Sequence, residues 1–133
     1  MKLNIINALT ILLLASCSGG GKLEYGKAKE TAENCMKAID KGDFQGVKDN
    51  YYSDNYGTTS TEDLNKKFTK LKDVCGDLVS YTLKDSSSTS EVGEEAQVVL
   101  TYEVKHSNTT TTEQFVIVEQ NGKYKIANHA VNN

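Results

Sequence analysis

The chain has no proline, no tryptophan and no arginine; all fifteen of its basic residues are lysine. Without arginine it lacks the planar guanidinium fork that grips phosphate and guanine in pairs of hydrogen bonds. The lysines are interleaved with eighteen acids, for a formal net charge of −3, and form no stripe. That balance points away from nucleic acid. Histidine is scarce, at two, and cysteine nearly so, at three. No Cys-x-x-Cys pair, zinc-ligand spacing, glycine-rich phosphate loop or Ser/His/Asp grouping occurs. The residues therefore nominate no catalytic, cofactor-binding or metal-binding set.

Long apolar runs are also missing. The longest begins at Ile5 and ends at Leu14, interrupted by Asn7 and Thr10. A membrane-spanning helix needs about 20 apolar residues, so this run is too short. Its length and the Lys2 before it fit the apolar core of a secretion signal. The run closes on Leu14-Ala15-Ser16-Cys17, which resembles the bacterial lipobox. That resemblance implies cleavage before Cys17, a diacylglyceryl group on its thiol and an acyl chain on its new amine. Several chains together give stable membrane attachment, where one alone holds only marginally.

The expected organisation is a signal peptide over 1–16, a lipid-attached linker over 17–22 and one domain over 23–133. Ser18-Gly19-Gly20-Gly21 suits a flexible leash. Ser18 follows the cysteine where an inner-membrane retention signal resembles aspartate, so the expected address is the outer membrane, with the domain in the periplasm. With Cys17 assigned to lipid, Cys35 and Cys75 remain. In an exported domain they are candidates for a disulfide; two separate buried thiols are the alternative.

Within the domain, Tyr25, Ala28, Ala32, Cys35, Met36 and Ile39 recur at helical spacing, predicting a helix over 22–40 that stops at Gly42. Asp43 is placed to cap a second, short helix with the stripe Phe44, Val47, Tyr51. Ser60 and the acids Glu62 and Asp63 open a third, with Leu64, Phe68, Leu71 and Cys75 on one face and Gly76 at its end. The period then changes to two. Val79, Tyr81 and Leu83 predict a first strand and Ala96 to Val104 a second. Phe115 to Glu119 predicts a third, and Tyr124, Ile126 and Ala127 a fourth after the Asn121-Gly122 hairpin signal. The serine-rich 85–93 and the threonine-rich 107–112 read as connections.

Three helices followed by a four-stranded antiparallel meander make an α+β domain with helices on one sheet face. This order, with the ending Asn121-Gly122-Lys123-Tyr124-Lys125-Ile126, resembles the nuclear transport factor 2-like (cystatin-like) family of curved cones. The resemblance implies a central pocket, used by some members for isomerase or dehydratase chemistry and by others for none. Tyr51, Tyr81, Tyr102, Phe115 and Tyr124 are the candidate pocket lining; filling a tryptophan-free core is the rival role for the tyrosines. Strict alternation turns His129 outward with Lys125 and Ala127, and Glu103 away from Tyr102. His106 falls at a strand end. The expected function is a non-catalytic module, held to the membrane by lipid, that binds a small apolar ligand or an envelope protein. The alternative is a small pocket enzyme of the isomerase or dehydratase type.

Overall fold

A computed structural model describes residues 23–90 and 95–132. The signal, Cys17 and the glycine linker lie outside the described residues. Helix α1 spans Tyr25–Lys41, and Ala28, Ala32, Cys35 and Met36 form its buried stripe. Glu24 offers no side-chain cap; its backbone N–H donates instead to the Tyr124 hydroxyl at 2.6 Å. Gly42 ends the helix at φ +79°, a left-handed conformation that costs glycine little.

Helix α2, Phe44–Gly46, is capped by the Asp43 side chain, which accepts from the Gly46 N–H at 3.1 Å. It widens into a π-helical turn over Val47–Tyr51, and a short 3₁₀ turn follows at Tyr56–Thr58. Helix α3 is Thr61–Cys75; the Ser60 side chain accepts from the Asp63 N–H, and Leu64, Phe68 and Cys75 are buried. Among the described residues no helix is long and apolar enough to cross a membrane.

Four strands complete the domain: β1 Leu78–Thr89, β2 Gln97–His106, β3 Thr110–Gln120 and β4 Lys123–Asn132. They pair antiparallel in chain order, β1-β2-β3-β4. Asn121 (φ 55°) and Gly122 (φ 79°) both turn left-handed, as a two-residue hairpin requires. The strands run longer than the sequence periodicity predicts. Asp85–Thr89 belongs to β1 and Thr110–Gln114 to β3, because cross-strand pairing with β2 extends through both polar stretches.

Three register shifts interrupt the ladders: between Leu78 and Ser80, between Leu83 and Asp85, and opposite Val116/Ile117 in β4. Each puts one extra residue in a strand, bends it and reverses the inward–outward parity of the strand beyond that point. In β1 the extra residue is Val79, so Leu78 faces inward opposite His106 while Val79 is 59% exposed. The expected Val79–Tyr81–Leu83 stripe is corrected accordingly. The inner sheet face carries Val98, Leu100, Tyr102, Val104, Phe115, Ile117 and Ile126, all buried against the helices in one core. Full burial of each large apolar side chain contributes about 1.5–3 kcal/mol, so this face dominates the stability of the domain.

Candidate functional site

None of Tyr51, Tyr81, Tyr102, Phe115 and Tyr124 lines the cavity described below. Tyr102 and Phe115 are buried in the core, while Tyr51, Tyr81 and Tyr124 are half-buried against it. Tyr102 and Phe115 meet edge to face, as do Tyr81 and Tyr102. The Tyr102 hydroxyl donates to Glu33 Oε2 at 3.0 Å. Burial, reinforced by that carboxylate, pushes the Tyr102 phenol above its ordinary range. Tyr102 and Phe115 thus fill the core, and Tyr51, Tyr81 and Tyr124 pack against it.

The pocket lies elsewhere. It is a partly open cavity of about 50 Å³ between α1, α3 and the inner sheet face. Met36, Ile39, Phe68, Leu71, Cys75 and Leu78 supply its apolar wall. Its polar groups are Asp40, Lys72, His106, Glu113 and His129. Both histidines therefore face inward: His129, expected to point outward, and His106, expected only at a strand end.

The reason differs for each. His106 continues the inward parity of Val98, Leu100, Tyr102 and Val104 along β2. Glu113 and Thr111 continue that of Ile117 and Phe115 backwards along β3, and both are buried. Simple alternation reaches all three, once the polar residues are allowed to belong to strands. His129 obeys no such rule. Ile117 pairs with Ile126 and Val116 with Asn128, leaving Ala127 as the extra residue. That bulge switches parity, places His129 opposite inward-facing Phe115 and leaves it 4% exposed.

The three side chains converge on one carboxylate. His129 Nε2–H donates to Glu113 Oε1 at 2.8 Å. His106 Nε2–H donates to Thr111 Oγ1 at 3.2 Å, and the Thr111 hydroxyl donates to Glu113 Oε2 at 3.4 Å. His106 Nε2 itself stands 3.7 Å from Glu113 Oε2. These donor roles are assigned from the network. Nδ1 of both rings is buried with no hydrogen-bond partner.

Stacking and backbone hydrogen bonds position this arrangement from several sides. The His129 ring stacks on Phe115 (centroids 4.2 Å, 15°) and on Phe68 (6.1 Å, 19°). Its backbone is clamped by Tyr56, whose hydroxyl accepts from the His129 N–H at 3.0 Å and donates to the His129 carbonyl at 2.9 Å. Burial raises the Tyr56 phenol above its ordinary range, although the His129 N–H that donates to its oxygen works the other way. His106 is fixed through the turn beyond it. The Ser107 N–H bonds the Asp77 carbonyl and the Asn108 N–H the Cys75 carbonyl, each at 2.9 Å. Gly76 makes this approach feasible. It lies at φ +88°, and a Cβ there would collide with Ser107 Oγ.

Lys72 stands at the cavity with its ammonium on the Asp40 carbonyl (2.8 Å), Asp40 Oδ1 (3.4 Å) and Asp77 Oδ1 (3.4 Å). Burial opposes its charge, but the two carboxylates outweigh that and raise its pKa. Asp40 Oδ1 also accepts from the Leu78 N–H, tying α1 to the start of β1.

Cys35 and Cys75 are buried free thiols, and the expected bond between them is absent. Cys75 lines the cavity opposite Met36 and Ile39 of α1. Cys35 is adjacent to Met36, about 100° round the helix, and is fully buried in the core away from that wall. Glu103 is exposed, as alternation requires. Among the described residues, no group of three His, Cys, Asp or Glu side chains is arranged to hold a metal ion.

No family model matches the chain. No curated protein matches it either. Among solved structures, the intermembrane space region of chloroplast protein ARC6 superposes with a TM-score of 0.43 at 12% identity, over 84% of this chain and 98% of that one.

Proposed function

We propose that the chain is an envelope lipoprotein, anchored through Cys17, whose single domain binds a small ligand in the cavity at Glu113. The Leu14-to-Cys17 box directly after a short apolar run supports the anchor. The helix order and the bulged four-stranded meander support a nuclear transport factor 2-like cone as the fold behind the pocket. One observation carries the binding reading: a buried carboxylate, held by one imidazole and approached by another, opens on a cavity with apolar walls. A buried charge is costly unless it is paired. An apolar cavity with a few convergent polar groups is the usual form of a small-ligand site.

The anchor is tested in the host cell. Wild-type chain should fractionate with outer membranes and carry a lipidated N-terminal Cys17, whereas Cys17→Ala should accumulate as unprocessed precursor. A wild-type protein with a free Cys17 thiol would overturn it. The pocket is tested by amide chemical shifts on adding small-molecule mixtures. Shifts clustered at Leu78, Thr111–Glu113 and Asn128–His129 support the reading, and shifts confined to other surfaces refute it.

The 2.8 Å bond between His129 and Glu113 also favours a second reading, a pocket enzyme of the isomerase or dehydratase type. There Glu113 or His106 would move a proton while His129 orients the carboxylate. Given such an activity, Glu113→Gln should lower turnover by about 10²–10⁴-fold, the usual contribution of a general acid–base group.

A further inference from the structure

Hydrogen-bond donors are in short supply around the cavity. Glu113 Oε1 is well held by His129 at 2.8 Å. Oε2 has only a long contact from the Thr111 hydroxyl at 3.4 Å, with His106 Nε2 further off at 3.7 Å. The His106 proton on Nε2 is already directed at Thr111. A carboxylate oxygen accepts two hydrogen bonds, so this one has capacity to spare. The buried Nδ1 atoms of His106 and His129 are further acceptors without donors. The charge balance leans the same way. Lys72 is engaged by Asp40 and Asp77, and among the described residues no lysine pairs with Glu113. By formal count, with histidine taken as neutral, Glu113, Asp40 and Lys72 leave the cavity one negative charge.

We propose that the cavity takes the protonated amine of a small primary alkylamine, with Glu113 Oε2 as its counter-ion. This rests on the reading of the cavity as a ligand site. An ammonium brings three donors and one positive charge, which are the two things the site lacks. A carboxylate or phosphate would face Glu113 and Asp40 and be repelled. An alcohol would satisfy a lone pair and leave the charge unbalanced. The apolar wall of Met36, Ile39, Leu71 and Leu78 accommodates a short alkyl chain. A cavity of about 50 Å³ holds several waters' worth of volume, enough for an amine of about two to four carbons and no drug-sized body.

The experiment compares three molecules of matched shape on the full chain in detergent micelles: propylammonium, propionate and propanol, at equal ionic strength. The readout is the amide chemical shifts of Leu78, Thr111–Glu113 and Asn128–His129. Propylammonium should shift them saturably in the millimolar range, with propionate and propanol at least tenfold weaker. Glu113→Gln should weaken propylammonium at least tenfold. Because that variant removes a buried partner of His129, Thr111→Val serves beside it: it keeps the carboxylate and should retain the preference for the amine. The wild-type selectivity is decisive without either variant. Equal or tighter binding of propionate or propanol overturns the proposal and leaves the ligand pocket standing. No response to any of the three overturns both.

Discussion

Burial decides the behaviour of Cys35. It lies deep in the core, and burial, with the Glu113 carboxylate adding to it, pushes its thiol well above the ordinary range. Tyr52 is likewise raised by burial, with Cys35 and Tyr56 adding to it. In both cases the folded chain holds its proton more tightly than the unfolded one. Stability is therefore fully present below the unfolded values, about 8.5 for cysteine and 10 for tyrosine. It is lost as pH rises past them, at about 1.4 kcal/mol per pH unit for each group. Chemical denaturation followed from neutral pH to pH 11 should show the midpoint falling from about pH 9 upward. A midpoint flat across that range would contradict the burial of these groups. The free thiols lead to a second expectation. Denatured, unreduced protein should take up alkylating reagent at both Cys35 and Cys75. A mass showing neither modified would restore the disulfide that their shared helical stripes suggest.

At the scale of elements, the legible features were those set by local chemistry. Gly42 and Gly76 mark helix ends, Asp43 and Ser60 cap helices, and Asn121-Gly122 turns a hairpin. Period two also carries His106 and Glu113 inward, provided that polar residues are not read as ending a strand. The bulges were not legible. Nothing in Lys125-Ile126-Ala127-Asn128 marks Ala127 as the extra residue. Its place is set by Tyr52 and Ser53, whose bridge and hydrogen bond hold Ile126 from the other side. The site was hidden because its last member depends on a contact distant in sequence. Two opposite edits test this. Deleting Ala127 leaves Ile126, Asn128 and His129 opposite Ile117, Val116 and Phe115, so His129 should stay inside at a cost of about 1 kcal/mol, typical of an ordinary substitution. Inserting one serine between Asn128 and His129 turns the imidazole outward and strips Glu113 of its partner, at about 3–5 kcal/mol. Urea midpoints of the two variants should differ in that order; equal losses would remove the bulge from the account.

Over the whole molecule, the strand order is the sequence order, and that arrangement has a kinetic meaning. Every sheet pairing joins neighbours along the chain, so loop closures are short and the entropic cost of forming the sheet is low. The clearest long-distance tie is at the far end of α1, where the Glu24 N–H reaches Tyr124 across 100 residues. Strands β2 and β3 are each paired on both sides, while α1 is held largely by one face of side chains. The domain should therefore open from its N-terminal helix inward. Native-state hydrogen exchange should find the slowest amides in β2 and β3, with α1 exchanging through a smaller opening. Equal protection in α1 and the central strands would mean that helix and sheet open as one unit. If α1 does open first, it uncovers Met36 and Ile39, and with them the wall of the cavity. Access to Glu113 would then be governed by the rate at which this one helix lifts, more than by the width of the cavity mouth.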